Sequence, residues 1–351
     1  LYLCGDLGAL EEDMPRARVI REHSVGFEDR GFEVIGVGQV PLLVHGVGVL
    51  FPRFFEEEDL FHRLETEHVF QNLTESTKKS SALRTGIYLT DITREVAADG
   101  GEVLHHRLLR CSSNLTGPTD NFRDTDRMIM SAINDAASAV FEDETSLNHV
   151  LAQIYRNTKD TGDRPRERKA KIGAHSDKTK DMREDGLIAF CTFYDTSDFE
   201  GLKPSESDPY DWCYKKNSGL TRLLFKLKKD VEDDDLIEEF SVTLYPNSVF
   251  IIPLSTNRLY THEIRPSMLN VDMIPTRMGY VARSSSAEAL FKDGKVYLKD
   301  GEALIELAPM TRETLSRLRD SYYKENRTAD EIAYGEVHFS MNSGDYKKPI
   351  Y

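Results

Sequence analysis

The sequence predicts an α+β protein whose core is a β-barrel or a double-sheet jelly roll flanked by helices. From about residue 150 onward, short apolar runs alternate with polar turns, a texture typical of such all-β cores. One run, residues 186–194 (GLIAFCTFY), is apolar almost throughout, as expected of a strand buried on both faces. Before residue 150, segments with helical apolar spacing lie between strand-like runs.

The first part of the chain predicts a mixture of short strands and helices. Strands are expected at residues 31–37, 42–51 and 82–90, and helices at residues 56–71 and 128–141. Residues 145–157 fit a helix or a strand, because periodicity does not distinguish the two here. We interpret residues 1–150 as an N-terminal α/β extension that packs on the core formed by residues 151–351.

The core is predicted to contain further strands and to end in a surface helix. The expected strands are residues 220–228, 240–245, 249–254 and 278–283, and the expected helix is residues 311–326. Residues 208–217 and the acidic run at 232–239 read as solvated connections, since blocks of like charge are usually exposed.

Composition limits the classes of function. The net charge is −15 at pH 7, whereas nucleic-acid binders usually carry a basic surface that neutralises phosphates. No apolar run approaches the length of a membrane-spanning helix. A small-molecule substrate is therefore favoured over nucleic acid, and a membrane span is not expected.

Cysteine usage points away from zinc and from disulfides. The four cysteines lie far apart without a C-x-x-C pair, at positions Cys4, Cys111, Cys191 and Cys213. Together with the absence of a recognisable signal peptide, this favours a cytoplasmic protein. The chain begins at Leu1 rather than Met, so a leader that preceded it would not be seen.

The feature that carries chemistry is an H-x-D pair followed by a distant histidine. His175 and Asp177 are two residues apart, so on a β-strand their side chains would share a face. His262 follows 85 residues after Asp177 and could complete the set from a neighbouring strand. Two histidines and one carboxylate leave open positions on a metal, the arrangement of non-haem iron(II) oxygenases.

Two arginines strengthen the metal-site hypothesis. Arg277 and Arg283 are six residues apart and would therefore lie on one face of one strand. Buried guanidinium groups need an anionic partner, and a dicarboxylate can be gripped in a bidentate manner. Each residue alone is better explained as a core histidine, a turn aspartate or a surface arginine; only their order and spacing together favour a site.

Three segments resemble the AlkB-like branch of the iron(II)/2-oxoglutarate-dependent oxygenases. They are residues 171–177 (KIGAHSD), 257–266 (NRLYTHEIRP) and 277–283 (RMGYVAR), and the resemblance covers roughly residues 150–286. It implies a double-stranded β-helix core, jelly-roll or cupin-like, that uses iron(II), 2-oxoglutarate as cosubstrate and O2. The implied iron ligands are His175, Asp177 and His262, and the implied 2-oxoglutarate contacts are Arg277, Arg283, Tyr155 and Gln153.

The chain departs from the family pattern at several positions. Gln153 stands where the family usually has asparagine in its N-x-Y element, and an insertion at residues 158–169 follows that element. Thr179 replaces the acidic residue that nucleobase-repair members tend to carry. We expect Thr179 to meet the substrate, together with Arg164 and Arg166 of the only basic cluster, although that cluster also reads as a solvated loop.

These observations predict oxidation of a C–H bond in a small polar or anionic molecule, by hydroxylation, desaturation or oxidative cyclisation. Succinate and CO2 would be released. The alternative is an AlkB-like oxidative demethylase of nucleic acid or protein. A third possibility, a binding module of this fold without activity, is disfavoured because all three metal ligands are present.

Overall fold

The architecture comes from a computed structural model of the chain. The structure describes residues 2–3, 18–20, 33–57, 59–74, 81–97, 100–111, 115–142, 146–159 and 166–351. The helices are α1 (Leu60–Glu67), α2 (Asp124–Val140), α3 (Leu254–Leu259) and α4 (Arg312–Glu325), with short 3-10 turns between other elements.

The strands are numbered in chain order. They are β1 (Tyr2–Leu3), β2 (Arg18–Ile20), β3 (Glu33–Ile35), β4 (Leu42–Val44), β5 (Gly48–Phe51), β6 (Gln71–Thr74), β7 (Ser81–Thr90), β8 (Thr93–Val96), β9 (Glu102–Leu108), β10 (Asp120–Asn121), β11 (His149–Tyr155), β12 (Thr158–Lys159), β13 (Glu167–Arg168), β14 (Ile172–His175), β15 (Leu187–Tyr194), β16 (Lys203–Pro204), β17 (Trp212–Tyr214), β18 (Asn217–Ser218), β19 (Arg222–Leu227), β20 (Glu239–Thr243), β21 (Ser248–Pro253), β22 (Tyr260–Arg265), β23 (Arg277–Arg283), β24 (Ala287–Lys292), β25 (Lys295–Asp300) and β26 (Ala303–Glu306).

Two sheets carry the candidate site. The larger has nine strands in the order β10-β7-β11-β23-β15-β21-β5-β4, with β6 paired to β7, and the smaller has four in the order β14-β22-β19-β20. Most of their pairings are antiparallel, which confirms the prediction of a strand-rich α+β fold. A five-stranded sheet, β26-β25-β24-β9-β8, was not predicted from the sequence.

The two site-bearing sheets share one hydrophobic cluster. Phe190 on β15 and Phe250 on β21 contact Phe225 on β19, with ring centroids 6.4 and 5.8 Å from that of Phe225. Phe225 in turn stacks on Phe240 of β20 at 4.9 Å. These aromatic contacts pack the inner faces of the two sheets against each other.

The opposite face of the nine-stranded sheet packs on α1 and α2. Alternate residues of β23 divide between the two sides: Met278, Tyr280 and Ala282 join the cluster that includes Ile129 of α2, whereas Val281 packs in the inner cluster. This alternation is the two-residue period of a strand. It places Arg277 and Arg283 on the inner side with Val281.

Several predicted boundaries need correction. Residues 42–51 form two strands, β4 and β5, because a turn with His45 and Gly46 at positive φ (48° and 71°) interrupts them. The helix expected at 56–71 ends at Glu67, and β6 begins at Gln71. Residues 145–157, left open above, contain strand β11, and residues 31–32 of the strand expected at 31–37 lie outside the described residues.

Strands from both sides of residue 150 belong to the nine-stranded sheet. β5 pairs with β21, and β7 pairs with β11 over the whole length of the latter. The division into an extension and a core at this point stays a prediction. Among the described residues, none of the helices combines the length and apolar character needed to cross a bilayer.

Candidate metal centre

His175, Asp177 and His262 meet at one edge of the four-stranded sheet. His175 ends β14 and lies opposite His262 of β22 in the strand register. One ligand atom from each of the three side chains lies within 4.8 Å of the others. The expectation that the H-x-D pair shares a strand was wrong, because β14 ends at His175 and Asp177 enters from the following loop.

The orientation of the His175 ring is fixed by its own backbone. Its Nδ1 lies 2.9 Å from the carbonyl oxygen of Gly173, which accepts a hydrogen bond, so Nδ1 carries the proton. Nε2 therefore presents its lone pair and lies 3.9 Å from Oδ1 of Asp177, too far for a hydrogen bond. Proteins usually orient a metal-binding histidine by a hydrogen bond from its other ring nitrogen to an acceptor such as a backbone carbonyl.

Asp177 is held at three points. Asn257 of α3 accepts a hydrogen bond from the Asp177 backbone N–H at 2.8 Å and donates one to its carbonyl at 2.9 Å. Arg283 Nε donates to Oδ2 at 2.7 Å, which leaves Oδ1 on the His175 side. Burial alone would raise the pKa of this carboxyl, but the Arg283 guanidinium together with the neighbouring His262 and His175 outweighs it, and the pKa lies well below its usual range. Asp177 is thus ionised in the folded protein.

His262 is a neutral, buried imidazole. Burial, with the neighbouring His175 adding to it, lowers the pKa of His262 to about 3. Its Nδ1 is buried and has no hydrogen-bond partner among the described residues. The rings of Phe190 and Phe225 lie 5.3 and 5.7 Å from its own. A neutral imidazole with a free lone pair is the form that coordinates a metal.

The Arg277 guanidinium is buried on the inner face of the nine-stranded sheet, at the opposite end of β23 from Arg283, and has no counter-charge among the described residues. It lies over the Tyr155 ring at 4.0 Å, and its Nε and Nη2 lack hydrogen-bond partners in the described part of the chain. A Cβ at position 279 would meet Arg277 Nη1 at 2.9 Å, so Gly279 makes room for the guanidinium. Buried donors of this kind are costly unless a ligand accepts from them.

Tyr155 and Gln153 lie next to Arg277 on the neighbouring strand. In the β11–β23 register Tyr155 is opposite Arg277 and Gln153 is opposite Gly279, so their side chains share the inner face. The Tyr155 hydroxyl donates to Gln153 Oε1 at 3.1 Å. Arg277, Tyr155 and Gln153 therefore form one polar group, set in a largely apolar sheet.

Two further polar residues near this group, Thr192 and Ser248, were not predicted from the sequence to belong to a site. Thr192 of β15 lies opposite Gly279 on one side and Ser248 of β21 on the other. Both hydroxyls are buried, and neither has a hydrogen-bond partner among the described residues. Thr192 belongs to an apolar strand, so nothing in the local sequence marks it as part of a site. The strand register shows that it lies on the same sheet face as Arg277.

The three residues expected at the substrate have different surroundings. Thr179 donates hydrogen bonds to Glu325 Oε1 from its backbone N–H at 2.9 Å and from its hydroxyl at 2.5 Å. Arg166 is exposed just before β13. Arg164 lies outside the described residues.

The residues present fit a divalent metal and a neighbouring anion. The donor set is two neutral imidazoles and one carboxylate, which suits iron(II) with open coordination positions. The unsatisfied nitrogens of Arg277 and hydroxyls of Thr192 and Ser248 fit a carboxylate. The His175 side chain is 36% exposed, so the centre is reachable from solvent.

A second histidine–carboxylate cluster lies on the opposite face of the sheet. His68 Nδ1 is 2.8 Å from Asp120 Oδ2 and His68 Nε2 is 2.7 Å from Asp126 Oδ2, and Tyr280 donates to the other oxygen of Asp126 at 3.0 Å. Burial opposes protonation of His68, but its hydrogen bonds to both carboxylates and their negative charge outweigh this and raise its pKa to about 9. Both ring nitrogens of the protonated His68 donate in these bonds, so His68 has no lone pair for a metal ion.

Comparison with solved structures finds a structural likeness, whereas comparison of the sequence does not find a relative. No protein-family model matches the sequence, and no curated protein matches it. A solved structure titled "The structure of OsALKBH1" overlaps 70% of this chain and all of its own, at 12% identity and a TM-score of 0.41. At that level of similarity the likeness says nothing about substrate or activity.

Proposed function

We propose that this protein is an iron(II)- and 2-oxoglutarate-dependent oxygenase with a double-stranded β-helix core. The proposal depends on two unusual features that occur on the same inner side of the nine-stranded sheet. A two-histidine, one-carboxylate triad and a buried guanidinium that has no counter-ion among the described residues both lie on the inner side of the nine-stranded sheet. The unpartnered nitrogens of His262 and Arg277 do not stabilise a metal-free and ligand-free protein, so they are best explained by what they bind.

The proposed roles follow from the contacts. His175, Asp177 and His262 would hold the metal, and Arg283 keeps Asp177 ionised. Arg277 would take a carboxylate of 2-oxoglutarate, assisted by Thr192 and Ser248. The remaining cosubstrate contacts would come from Tyr155 and Gln153.

Iron(II), with 2-oxoglutarate and O2, supplies oxidation of an unactivated C–H bond with release of succinate and CO2. The protein contributes positioning and exclusion of water. Phe190 and Phe225 pack against His262 and keep this side of the centre apolar. The side of His175 is more exposed, so we place substrate entry there.

The substrate we propose is a small polar or anionic molecule, since the net charge of −15 disfavours a polyanion. The second candidate is oxidative demethylation of nucleic acid or protein. The observation that favours it is an exposed hairpin, β12–β13, which carries Arg166 and Arg168 shortly before the ligand strand β14. Thr179 is engaged by Glu325 and would meet either substrate from that fixed position.

The test of the proposed activity is iron-dependent conversion of 2-oxoglutarate to succinate, measured together with O2 consumption. We expect turnover in the wild type and none in His262→Ala. His338→Ala, a partly exposed histidine far along the chain from the triad, is the matched control and should retain turnover. Equal turnover in both variants would refute the metal assignment.

The two substrate classes separate by their response to salt. Binding of a nucleic acid through Arg166 and Arg168 should weaken steeply as salt rises, because counterions are released on binding. Oligonucleotide binding would be followed by fluorescence anisotropy at low and moderate salt. No binding at low salt would exclude the nucleic-acid candidate and leave the small-molecule one.

A further inference from the structure

The loop that carries Asp177 is covered by the C-terminal end of α4. We call residues 175–181 the metal-ligand loop. Ser176, between the two ligands, is fully buried, although it lies outside any strand. Buried loop backbone needs hydrogen-bond partners, and the loop's own strand β14 has already ended.

Asn326 supplies one of those partners. Its Oδ1 accepts a hydrogen bond from the Ser176 backbone N–H at 2.7 Å, across 150 residues of sequence. Its Nδ2 donates to the Tyr322 carbonyl at 2.8 Å, which fixes the amide orientation. Asn326 therefore ties the residue between the two metal ligands to the end of α4.

Glu325 supplies the next partner. It is 4% exposed, and its Oε1 accepts from both the backbone N–H and the hydroxyl of Thr179. Its other oxygen accepts from the Tyr334 hydroxyl. A buried carboxylate bonded on both oxygens is rigid, so Thr179 is fixed two residues beyond Asp177.

One lysine of the loop contacts this helix end. Lys178 Nζ lies 3.5 Å from the Tyr322 carbonyl and above the Tyr322 ring. A second lysine, the buried Lys228 that follows β19, donates to the Thr328 carbonyl at 3.3 Å, three residues beyond α4. Cations next to the last carbonyls of a helix complement its negative end. The charge arrangement thus favours the end of α4 at this place.

We infer that Glu325 and Asn326 are positioning residues for the metal centre, which hold the loop so that Asp177 is presented for coordination. This inference rests on the proposed function. Asn257 fixes the Asp177 backbone from one side, and Glu325 and Asn326 fix the residues before and after it from the other. Neither residue contacts the triad side chains in the hydrogen bonds found, so both act through the loop.

The expected effect is on metal affinity more than on folding. Residues that orient metal ligands typically change metal affinity by about 10- to 100-fold when replaced. The variants Glu325→Ala and Asn326→Ala should weaken metal binding by that factor. Glu325→Gln retains an acceptor for Thr179 and should recover most of the affinity. Glu336→Ala, at an exposed position of the same C-terminal segment, is the matched control.

The experiment uses the full chain and has two readouts that do not depend on activity. Titration with cobalt(II), monitored by visible absorption, measures the metal affinity and reports the coordination geometry of the bound ion. Amide hydrogen exchange by mass spectrometry on the metal-free protein reports on residues 175–181. We expect weaker cobalt binding and faster exchange of this loop in Asn326→Ala and Glu325→Ala, with wild-type behaviour in Glu336→Ala.

The outcomes separate the two proposals. If the wild type fails to bind cobalt, the proposed function is refuted, and the inference with it. If the wild type binds and both alanine variants bind equally well, only the positioning role is refuted. If both variants lose affinity but loop exchange stays unchanged, or Glu325→Gln fails to recover, the loop is not the route of the effect and the inference is also wrong.

Discussion

The two histidine–carboxylate clusters lie on opposite sides of the nine-stranded sheet and use the same residue types differently. In the triad the His175 Nε2 and Asp177 Oδ1 are 3.9 Å apart, whereas His68 is within 2.8 Å of both Asp120 and Asp126. The pKa of His262 falls to about 3, and that of His68 rises to about 9. Residue types alone therefore do not distinguish the two clusters. They differ in whether the histidine nitrogens are already hydrogen-bonded or have a lone pair available for a metal ion.

The largest expected contrast is in metal affinity. Asp177→Ala should reduce cobalt(II) binding by more than about 100-fold, since loss of a ligand should exceed the 10- to 100-fold effects of outer partners. His68→Ala should leave the affinity unchanged, because both nitrogens of His68 are already bonded. Spectroscopic titration measures both. Loss of cobalt binding in His68→Ala alone would reverse the assignment of the two clusters.

The next contrast is in the free energy of unfolding. His68→Leu removes the cation that two buried carboxylates share; Asp120 keeps its ion pair with Arg123, but Asp126 loses its cation, so the protein should be destabilised by about 3–5 kcal/mol. His262→Leu in the metal-free protein should change stability by less than about 1 kcal/mol, because it removes a buried nitrogen that lacks a partner. Urea denaturation compares them. Similar losses in both variants would contradict the distinction.

A third contrast concerns alkaline pH. Because the folded pKa of His68 lies above the unfolded value, its stabilising effect is complete below pH 6.5 and is lost as pH rises to about 9. The loss should amount to about 3 kcal/mol at most. Urea midpoints from pH 6 to 9.5 measure it. The variant His68→Leu should lack this decline, and a decline that persists would have another origin.

The smallest effect is expected at Gly279. A methyl group there would meet Arg277 Nη1 at 2.9 Å and displace the guanidinium from its place over Tyr155. Gly279→Ala should raise the 2-oxoglutarate concentration required for half-maximal turnover by about 10-fold, the equivalent of one charge-assisted hydrogen bond. Cobalt affinity should stay at the wild-type value. A fall in cobalt affinity instead would place position 279 in the metal site.

The elements that the sequence predicted well have strong local signals. The long amphipathic α2, the apolar strand β15 and the i, i+6 spacing of Arg277 and Arg283 all follow from periodicity within one element. The meeting of His175 with His262 was inferred from spacing, and the register places them opposite each other.

What the sequence did not predict depends on distant contacts. Asp177 leaves the strand because Asn257 and Asn326 provide backbone partners that no local pattern announces. Thr192 and Ser248 read as ordinary strand residues until the register places Thr192 opposite Gly279 and Ser248 opposite Thr192. The β24–β26 strands were missed because polar residues interrupt their apolar spacing.

The tie between Ser176 and Asn326 has a consequence for synthesis on the ribosome. Ser176 is translated 150 residues before its partner, so the metal-ligand loop emerges long before the side chain that orders it. Contacts of such sequence separation form late in folding, because the intervening chain must first be closed. A nascent chain therefore exposes His175 and Asp177 long before Asn326, the residue that bonds the backbone between them, has been synthesised.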